Sequence, residues 1–426
     1  MLNTLDDWLD FIGHQHTTEI VMGLDRVRTV WERMQKPQAP INIIVGGTNG
    51  KGSTCAMLES ILYAAGYRTG FYSSPHLVRY NERVRFEKMD ASDAHLIASF
   101  EAIERARKTL PVIPLTYFEF ATLSALMLFQ CEKVDVGILE VGLGGRLDAV
   151  NIIDADVSIV VSVDLDHQSY LGDTREKIAI EKAHIYRPDR PAIFADRAPP
   201  QSLLDYATGI GADLRLLDRD FRYQIMDTQW QFLGKDGARH SLPFPALRGG
   251  YQLKNASAAL AALESLQGRL PVSQGHVKRG LLEVDWPGRM QVLPGRPVVV
   301  LDVAHNPHAA RALDDALGSM GFHPNTYAVF GMLKDKDIDA VIGILKGRID
   351  FWCIAGLESS AGARGATVEQ LAQKLDAQAL TGRYSRHASI AKAYAAARER
   401  AGENDRILVF GSFHTVAEIL QRAEST

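Results

Sequence analysis

The stretch that most constrains the fold is Ile41 to Cys55, INIIVGGTNGKGSTC. A short Ile- and Val-rich run ends in glycines interleaved with Thr48, Asn49 and Lys51, and a helix-forming pattern follows from Ser53. Strand, glycine-rich turn and helix in that order make a phosphate cradle. Glycines let backbone N–H groups converge on phosphate oxygens, and the helix N-terminus adds partial positive charge. Lys51 is expected to reach the β- and γ-phosphates, and Ser53 to hold Mg²⁺. The usual spacing of such a loop is not met, because Gly52 separates Lys51 from Ser53 and Val45 stands where the first glycine belongs. The alternative is a strand-to-helix turn that binds nothing.

At 426 residues the chain exceeds what one hydrophobic core usually supports, so two domains are expected. A net charge of -4 and a pI near 6.4 leave no electrostatic footprint for nucleic acid or anionic membrane, which favours small-molecule partners. Cys55, Cys131 and Cys353 are far apart in apolar or helical contexts, the usage of a reducing compartment. The first residues carry acids where a secretion signal carries bases, and no stretch reads as membrane-spanning. The expected location is the cytoplasm.

Residues 3 to 36 read as two amphipathic helices separated by the polar break Gly13-His14-Gln15-His16-Thr17. Tyr67 to Ser74 reads as a strand ending in Ser73-Ser74-Pro75-His76, where small hydroxyls beside a nucleotide site suit Mg²⁺ or phosphate. Ser92 to Lys108 is a capped helix. Leu115 to Gln130 is apolar nearly all round and reads as a buried helix whose first turn, Thr116-Tyr117-Phe118-Glu119, is expected to meet a ligand. Val134 to Val141 reads as a buried parallel strand with Glu140 at its carboxyl end. In the following GLGGRLD a dinucleotide fingerprint fails at Leu147. The strand Val157 to Val163 runs into Asp164-Leu165-Asp166-His167, a set suited to a metal shell or to positioning charge. Thr174 caps a helix carrying Glu181-Lys182-Ala183-His184, whose lysine is either functional or solvated.

Residues 214 to 243 turn strand-like, with a hairpin at Gly234 to Gly237, and helices return at Asn255 to Leu266 and Gln274 to Glu283. Clustered breakers at Pro287-Gly288-Arg289 and Pro294-Gly295-Arg296-Pro297 mark a boundary. The expected division is a nucleotide-binding domain over 1–288, a linker over 289–296 and a smaller α/β domain over 297–426. Beyond the boundary, strands are expected at Val298 to Val303, Tyr327 to Gly331, Phe351 to Ala355 and Arg406 to Gly411. Three of them end in polar motifs, DVAHNP, GMLKDKD and GSFHT, which are expected to face one cleft.

The motifs GTNGKGS, SSPHLVRYNERVR, LTYFEF, EVGLGGRLDAVN, LDH, EKAHIY, PGRMQ, DVAHNPHA, GMLKDKD and GSFHT occur in the order and spacing of the folylpolyglutamate synthase/dihydrofolate synthase family of the Mur ligase superfamily. The chain resembles that family from about Leu5 to Ile419, and the offset lysine is the superfamily's own variant of the phosphate loop. The resemblance implies a P-loop-type Mur ligase ATPase domain followed by a smaller Rossmann-like α/β domain. It implies ATP-dependent ligation of L-glutamate to dihydropteroate and to tetrahydrofolate mono- and polyglutamates through an acyl phosphate, by a protein expected to be a monomer.

By the same resemblance, Thr48, Asn49, Gly50, Lys51, Gly52, Ser53, Asn255, Arg289 and Asp302 bind ATP, and Ser53, Ser74, Glu140 and His167 hold Mg²⁺, with two ions expected. Lys51, Lys182 and His305 are catalytic, and Lys182 carries a carbamate (N6-carboxylysine). Gly13, His14, Gln15 and His16, Thr116, Tyr117, Phe118 and Glu119, and Leu147, Asp148 and Ala149 line the pterin site. Asp148 is expected to bond a pterin edge, and Tyr117 or Phe118 to stack on the ring. The chain departs from the family at 13–16 and at His184, where a glycine is usual. The alternatives are a ligase restricted to polyglutamylation, another Mur-type amide ligase, or a nucleotide-driven phosphotransferase or switch that forms no amide.

Overall fold

The computed structural model describes residues 2–16, 21–34 and 41–424. It divides into two compact units, Met1–Ala246 with Leu253–Val284, and Leu247–Gln252 with Asp285–Thr426. Among the described residues no helix is long and apolar enough to cross a membrane.

The first unit is built on an eight-stranded sheet of β1 (Asn42–Gly46), β2 (Thr69–Tyr72), β3 (Val84–Phe86), β4 (Met89–Asp90), β5 (Val136–Glu140), β6 (Val157–Val160), β7 (Pro191–Phe194) and β8 (Asp213–Leu216), in the order β4-β3-β2-β5-β1-β6-β7-β8. All pairings from β2 to β8 are parallel, and β3 and β4 add an antiparallel edge. Every residue of β1 and β5 is buried, as expected of parallel strands covered on both faces. The register sets Val45 beside Glu140, Gly46 beside Val160 and Tyr72 beside Leu139. The carboxyl ends of four strands thereby share one edge. On one face the helix Tyr117–Cys131 packs so closely that a Cβ on Gly70 would lie 2.6 Å from the Phe129 ring.

The helices Leu5–Gly13 and Asp25–Met34 match the amphipathic reading of the N-terminus. The polar break at Thr17 and the helix end at 36 fall outside the described residues. Ser92 and Thr174 cap their helices through His95 N and Lys177 N. The polar stretch after β8 forms a small antiparallel sheet of β9 (Arg222–Ile225), β10 (Trp230–Leu233) and β11 (Ala238–Leu242), with Gly234 N bonded to Gly237 O at 2.8 Å across the expected hairpin.

The second unit has a six-stranded sheet of β12 (Gln291–Leu293), β13 (Val298–Asp302), β14 (Thr326–Phe330), β15 (Phe351–Ala355), β16 (Tyr384–His387) and β17 (Arg406–Phe410), ordered β12-β13-β17-β14-β15-β16. All pairings are parallel except β12 with β13. Phe330 packs against Trp352 and Phe410 at ring distances of 5.4 and 5.0 Å in the centre of this unit's core. β12 lies within 289–296, the stretch expected to be a linker, and pairs with β13 from Gln291 to Leu301 through Leu293 to Val299. The breakers on either side flank an extended run rather than interrupt it. The sequence also gives little sign of β7, a four-residue strand opened by Pro191, or of the half-exposed edge strand β16.

Candidate functional site

β1 ends at Gly46, and the helix Lys51–Ala64 begins after a loop whose Gly47 and Gly50 have φ of +144° and +88°. A Cβ on Gly47 would come within 3.2 Å of the Val161 and Ser162 amides, and one on Gly50 within 2.6 Å of Asn255 Oδ1. Only glycine satisfies both the backbone angle and the space. Asn255 thus abuts the loop.

Two hydroxyls clip the loop to the segment after β6. Thr48 Oγ1 donates to Asp164 O at 3.1 Å and accepts from Asp164 N at 3.0 Å. Ser162 Oγ donates to Asn49 O at 3.0 Å and accepts from Asn49 N at 3.1 Å. The Thr48 hydroxyl and the Asn49 amide, in the set expected to meet ATP, therefore hold the loop's shape. Lys51 Nζ is folded over the loop, donating to Gly47 O at 3.1 Å and Thr48 O at 3.3 Å. A ligand with phosphate oxygens would offer it stronger acceptors. Ser53 is buried in the first helical turn.

Glu140 is 6 % exposed at the end of β5, and Ser74 N donates to its Oε2 at 3.4 Å. Beneath them, burial and the charge of Glu140 push the Cys55 thiol well up, so Cys55 is a packing residue and no nucleophile. His167 has φ of +50°, and its amide donates to Asp166 Oδ1 at 2.8 Å. Among the described residues no three His, Cys, Asp or Glu side chains group as a metal cage. Mg²⁺ keeps several waters and takes one or two carboxylates together with phosphate oxygens. A glycine cradle, a lysine across it, and Ser53, Ser74 and Glu140 as oxygen donors suit a triphosphate with its cation.

Lys182 is buried, and its ammonium is lowered to about 7, first by burial and then by the charge of Lys51, with Asp166 and Asp148 opposing. The helix end bearing it is tied to the GLGGRLD loop: Arg146 N donates to Glu181 O at 2.9 Å, and a Cβ on Gly145 would lie 2.7 Å from that same oxygen. His184 stacks on Tyr206 at 4.2 Å, and its Nδ1 lies 2.6 Å from Ile180 O. Asp148 is pushed up to about 6 by burial, although its Oδ2 accepts from Leu143 N at 2.8 Å and its Oδ1 from Val150 N at 3.0 Å. Each oxygen of Asp148 thus holds one amide of its own loop. Leu147 is half-buried and Ala149 buried beside it.

The first turn of Tyr117–Cys131 is only half open. Thr116 and Glu119 are both 3 % exposed and form a capping box, and Glu119 pairs with Arg26 at 3.0 Å. Of this turn, Tyr117 and Phe118 alone are half-exposed. Gly13 and His14 are exposed at the end of Leu5–Gly13, His14 Nδ1 lies 2.7 Å from Asp10 O, and Gln15 Oε1 accepts from Arg107 Nη2 at 2.6 Å. His16 is half-buried.

Within the second unit, β13, β17 and β14 are neighbours, which brings their three motifs to one edge. Asp302 is buried and accepts from Met290 N at 2.9 Å and Ala304 N at 2.8 Å, with burial raising its carboxyl. Arg289 lies 5.2 Å from the Phe413 ring, and the His305 ring 6.1 Å from it. Thr415 Oγ1 donates to Gly331 O at 2.8 Å, closing the third motif onto the second. Phe413 and Ser162 were given no role by the sequence. Ser162 had a readable signal, a hydroxyl inside the apolar run after β6.

Residues 288–413 match the family model described as Mur ligase, glutamate ligase domain. The chain is 45 % identical over 419 residues to the dihydrofolate synthase/folylpolyglutamate synthase of Escherichia coli (strain K12), covering 98 % of this chain and 95 % of that one. The structure of E. coli FolC in complex with DHPP and ADP superposes with a TM-score of 0.93 at 44 % identity, covering 99 % of this chain and 98 % of that one. A bifunctional folylpolyglutamate synthase/dihydrofolate synthase with Mn, AMPPNP and L-glutamate bound gives a TM-score of 0.90 at 42 % identity, with the same coverage. A glycine cradle on a parallel sheet, a second parallel α/β unit and likeness along nearly the whole length lead to one conclusion: the chain belongs to the dihydrofolate synthase/folylpolyglutamate synthase family of Mur-type ligases.

Proposed function

We propose that this protein ligates L-glutamate to dihydropteroate, giving dihydrofolate, and to tetrahydrofolate mono- and polyglutamates, at the expense of ATP. The observation that carries the reading is the cradle of Gly47 and Gly50 with Lys51 folded over it, beside Glu140 and Ser74. A carboxylate is a poor acyl donor because oxide would have to leave. Its oxygen attacks the γ-phosphorus, ADP departs, and the resulting acyl phosphate has phosphate as leaving group. The amine of glutamate then attacks the acyl carbon, loses a proton and releases phosphate. Charge accumulates on the transferring phosphoryl group, and Lys51 is the cation that stabilises it.

Mg²⁺ supplies Lewis-acid neutralisation of the phosphate oxygens when bound, and the oxygen donors Ser53, Ser74 and Glu140, with His167, would hold it, two ions being expected. A carbamate on Lys182 requires a neutral amine to form, and burial that lowers this ammonium to about 7 supports that requirement. Arg289 and Asp302 are read as nucleotide contacts, His305 as a reaction residue, and Asn255 as a nucleotide contact next to Gly50. Tyr117 and Phe118 are read as the pterin wall, with 13–16 and 147–149 around it. The protein is read as a cytoplasmic monomer.

The test is purified protein with ATP, Mg²⁺ and labelled glutamate, offered dihydropteroate and tetrahydrofolate separately. Label is expected in both products. Label in the tetrahydrofolate product alone would restrict the enzyme to polyglutamylation, and label in neither would end the reading.

A further inference from the structure

Arg83 closes the 3-10 turn Tyr80–Arg83 and is 9 % exposed. Its guanidinium carbon lies 5.4 Å from the ring centres of both Tyr80 and Tyr117, and its Nε donates to His76 Nδ1 at 2.9 Å. Among the described residues no carboxylate pairs with it, and that single bond is the guanidinium's only hydrogen bond. Other buried arginines of the chain are engaged differently. Arg107 donates to Glu104 Oε1 at 2.9 Å, Arg215 pairs with Asp213 at 3.0 Å, and Arg406 donates to Thr326 Oγ1 at 2.9 Å and to Leu317 O at 3.3 Å. A buried cation is costly unless an anion or a set of acceptors completes it. Among the described residues, two tyrosine faces and one imidazole give the terminal nitrogens of Arg83 neither, and those nitrogens are open to solvent and so to a ligand.

The place of this cation is as informative as its surroundings. Ser73 N donates to Arg83 O at 3.0 Å, which pins Arg83 to the segment leaving β2, one residue from Ser74. Ser74 N in turn reaches Glu140 on the neighbouring strand, and β5 lies directly beside β1 and its phosphate loop. Arg83 is thus on the carboxyl edge of the sheet, on the β2 side of the cradle. The half-exposed ring of Tyr117 offers an apolar wall beside it. With Nε held by His76, the remaining pair of nitrogens forms a fork that matches a carboxylate end-on.

We propose that Arg83 is the anchor of the acid substrate: its terminal nitrogens take the carboxylate that receives the phosphoryl group, the Tyr117 ring lies along the adjoining aryl group, and His76 orients the guanidinium. This rests on the reading that the chain acts on a pterin acid, and it adds a residue that reading does not use.

The test compares the wild type with Arg83→Gln and Arg83→Lys, using dihydropteroate and its carboxamide as probes. Binding is followed by titration without turnover, and KM for each substrate by initial rates. Arg83→Gln is expected to weaken dihydropteroate binding at least about tenfold while KM for ATP and for glutamate stay within about twofold, the size of losing a charge-assisted bond. The wild type should favour dihydropteroate over the carboxamide by a similar factor, Arg83→Gln should not, and Arg83→Lys should recover part of the preference. Equal wild-type affinity for acid and carboxamide overturns the anchor without any variant having to fold. So does a variant that still discriminates, or a rise in KM for glutamate instead. Preference for the acid in binding but no turnover by the wild type would leave the anchor standing and remove the ligase activity.

Discussion

Ser162 holds both backbone groups of Asn49 with one hydroxyl, accepting from its amide at 3.1 Å and donating to its carbonyl at 3.0 Å. Thr48 does the same in reverse to Asp164, so the phosphate loop and the segment leading to Asp166 and His167 are fastened twice. Ser162→Ala removes one fastening, at a cost of about 0.5–1.5 kcal/mol per hydrogen bond. KM for ATP should rise roughly tenfold, the size of about 1.4 kcal/mol, with a smaller change in KM for the pterin acid. A nucleotide titration checks it, and unchanged ATP affinity would count against the clip.

Gly50→Ala places a side chain at φ of +88° and a Cβ 2.6 Å from Asn255 Oδ1. The left-handed backbone alone costs about 1–2 kcal/mol. The same Cβ would lie 2.9 Å from Val161 Cγ1. ATP binding by calorimetry should therefore be lost in Gly50→Ala, and unchanged binding would contradict the close approach at this glycine.

Lys182→Ala should lose turnover, and short carboxylates such as acetate or formate should restore part of it by supplying the missing anion. Native mass spectrometry should give the wild type an increment of one carbon dioxide on Lys182. No increment and no rescue would remove the carbamate.

Burial raises Asp148 from the ordinary 3.8 to about 6. The folded chain therefore binds a proton there more tightly than the unfolded chain. The resulting stabilisation is fully present below about pH 4 and is lost as pH rises through 6. Asp148→Asn carries no such titration. Thermal melts from pH 4 to 6.5 should show the wild type losing stability relative to Asp148→Asn, and parallel curves would contradict the burial of this carboxyl.

Much of the site is legible in the sequence because it sits where strands end. The run Ile41–Val45, the glycines after it and Glu140 at the end of VGILE are one-dimensional signals, and their registers follow from parallel pairing. What the sequence conceals is which polar groups the protein uses for itself. Asp148 and Glu119 have the residue types of ligand contacts, and each also gives its oxygens to backbone amides or to Arg26. Arg83 has the opposite history: it lies in the quoted SSPHLVRYNERVR motif, but only its burial, with no carboxylate partner among the described residues, distinguishes it from any surface arginine. Short edge strands such as β12 and β16 lack the buried run that announces the central ones.

The most direct measurement is release of ADP and phosphate by the purified protein as each substrate is withheld in turn. Amide formation through an acyl phosphate predicts sustained release only when dihydropteroate or tetrahydrofolate and L-glutamate are both present, with one ADP per glutamate incorporated. Sustained release without either one would mean that the cradle around Lys51 drives some other reaction.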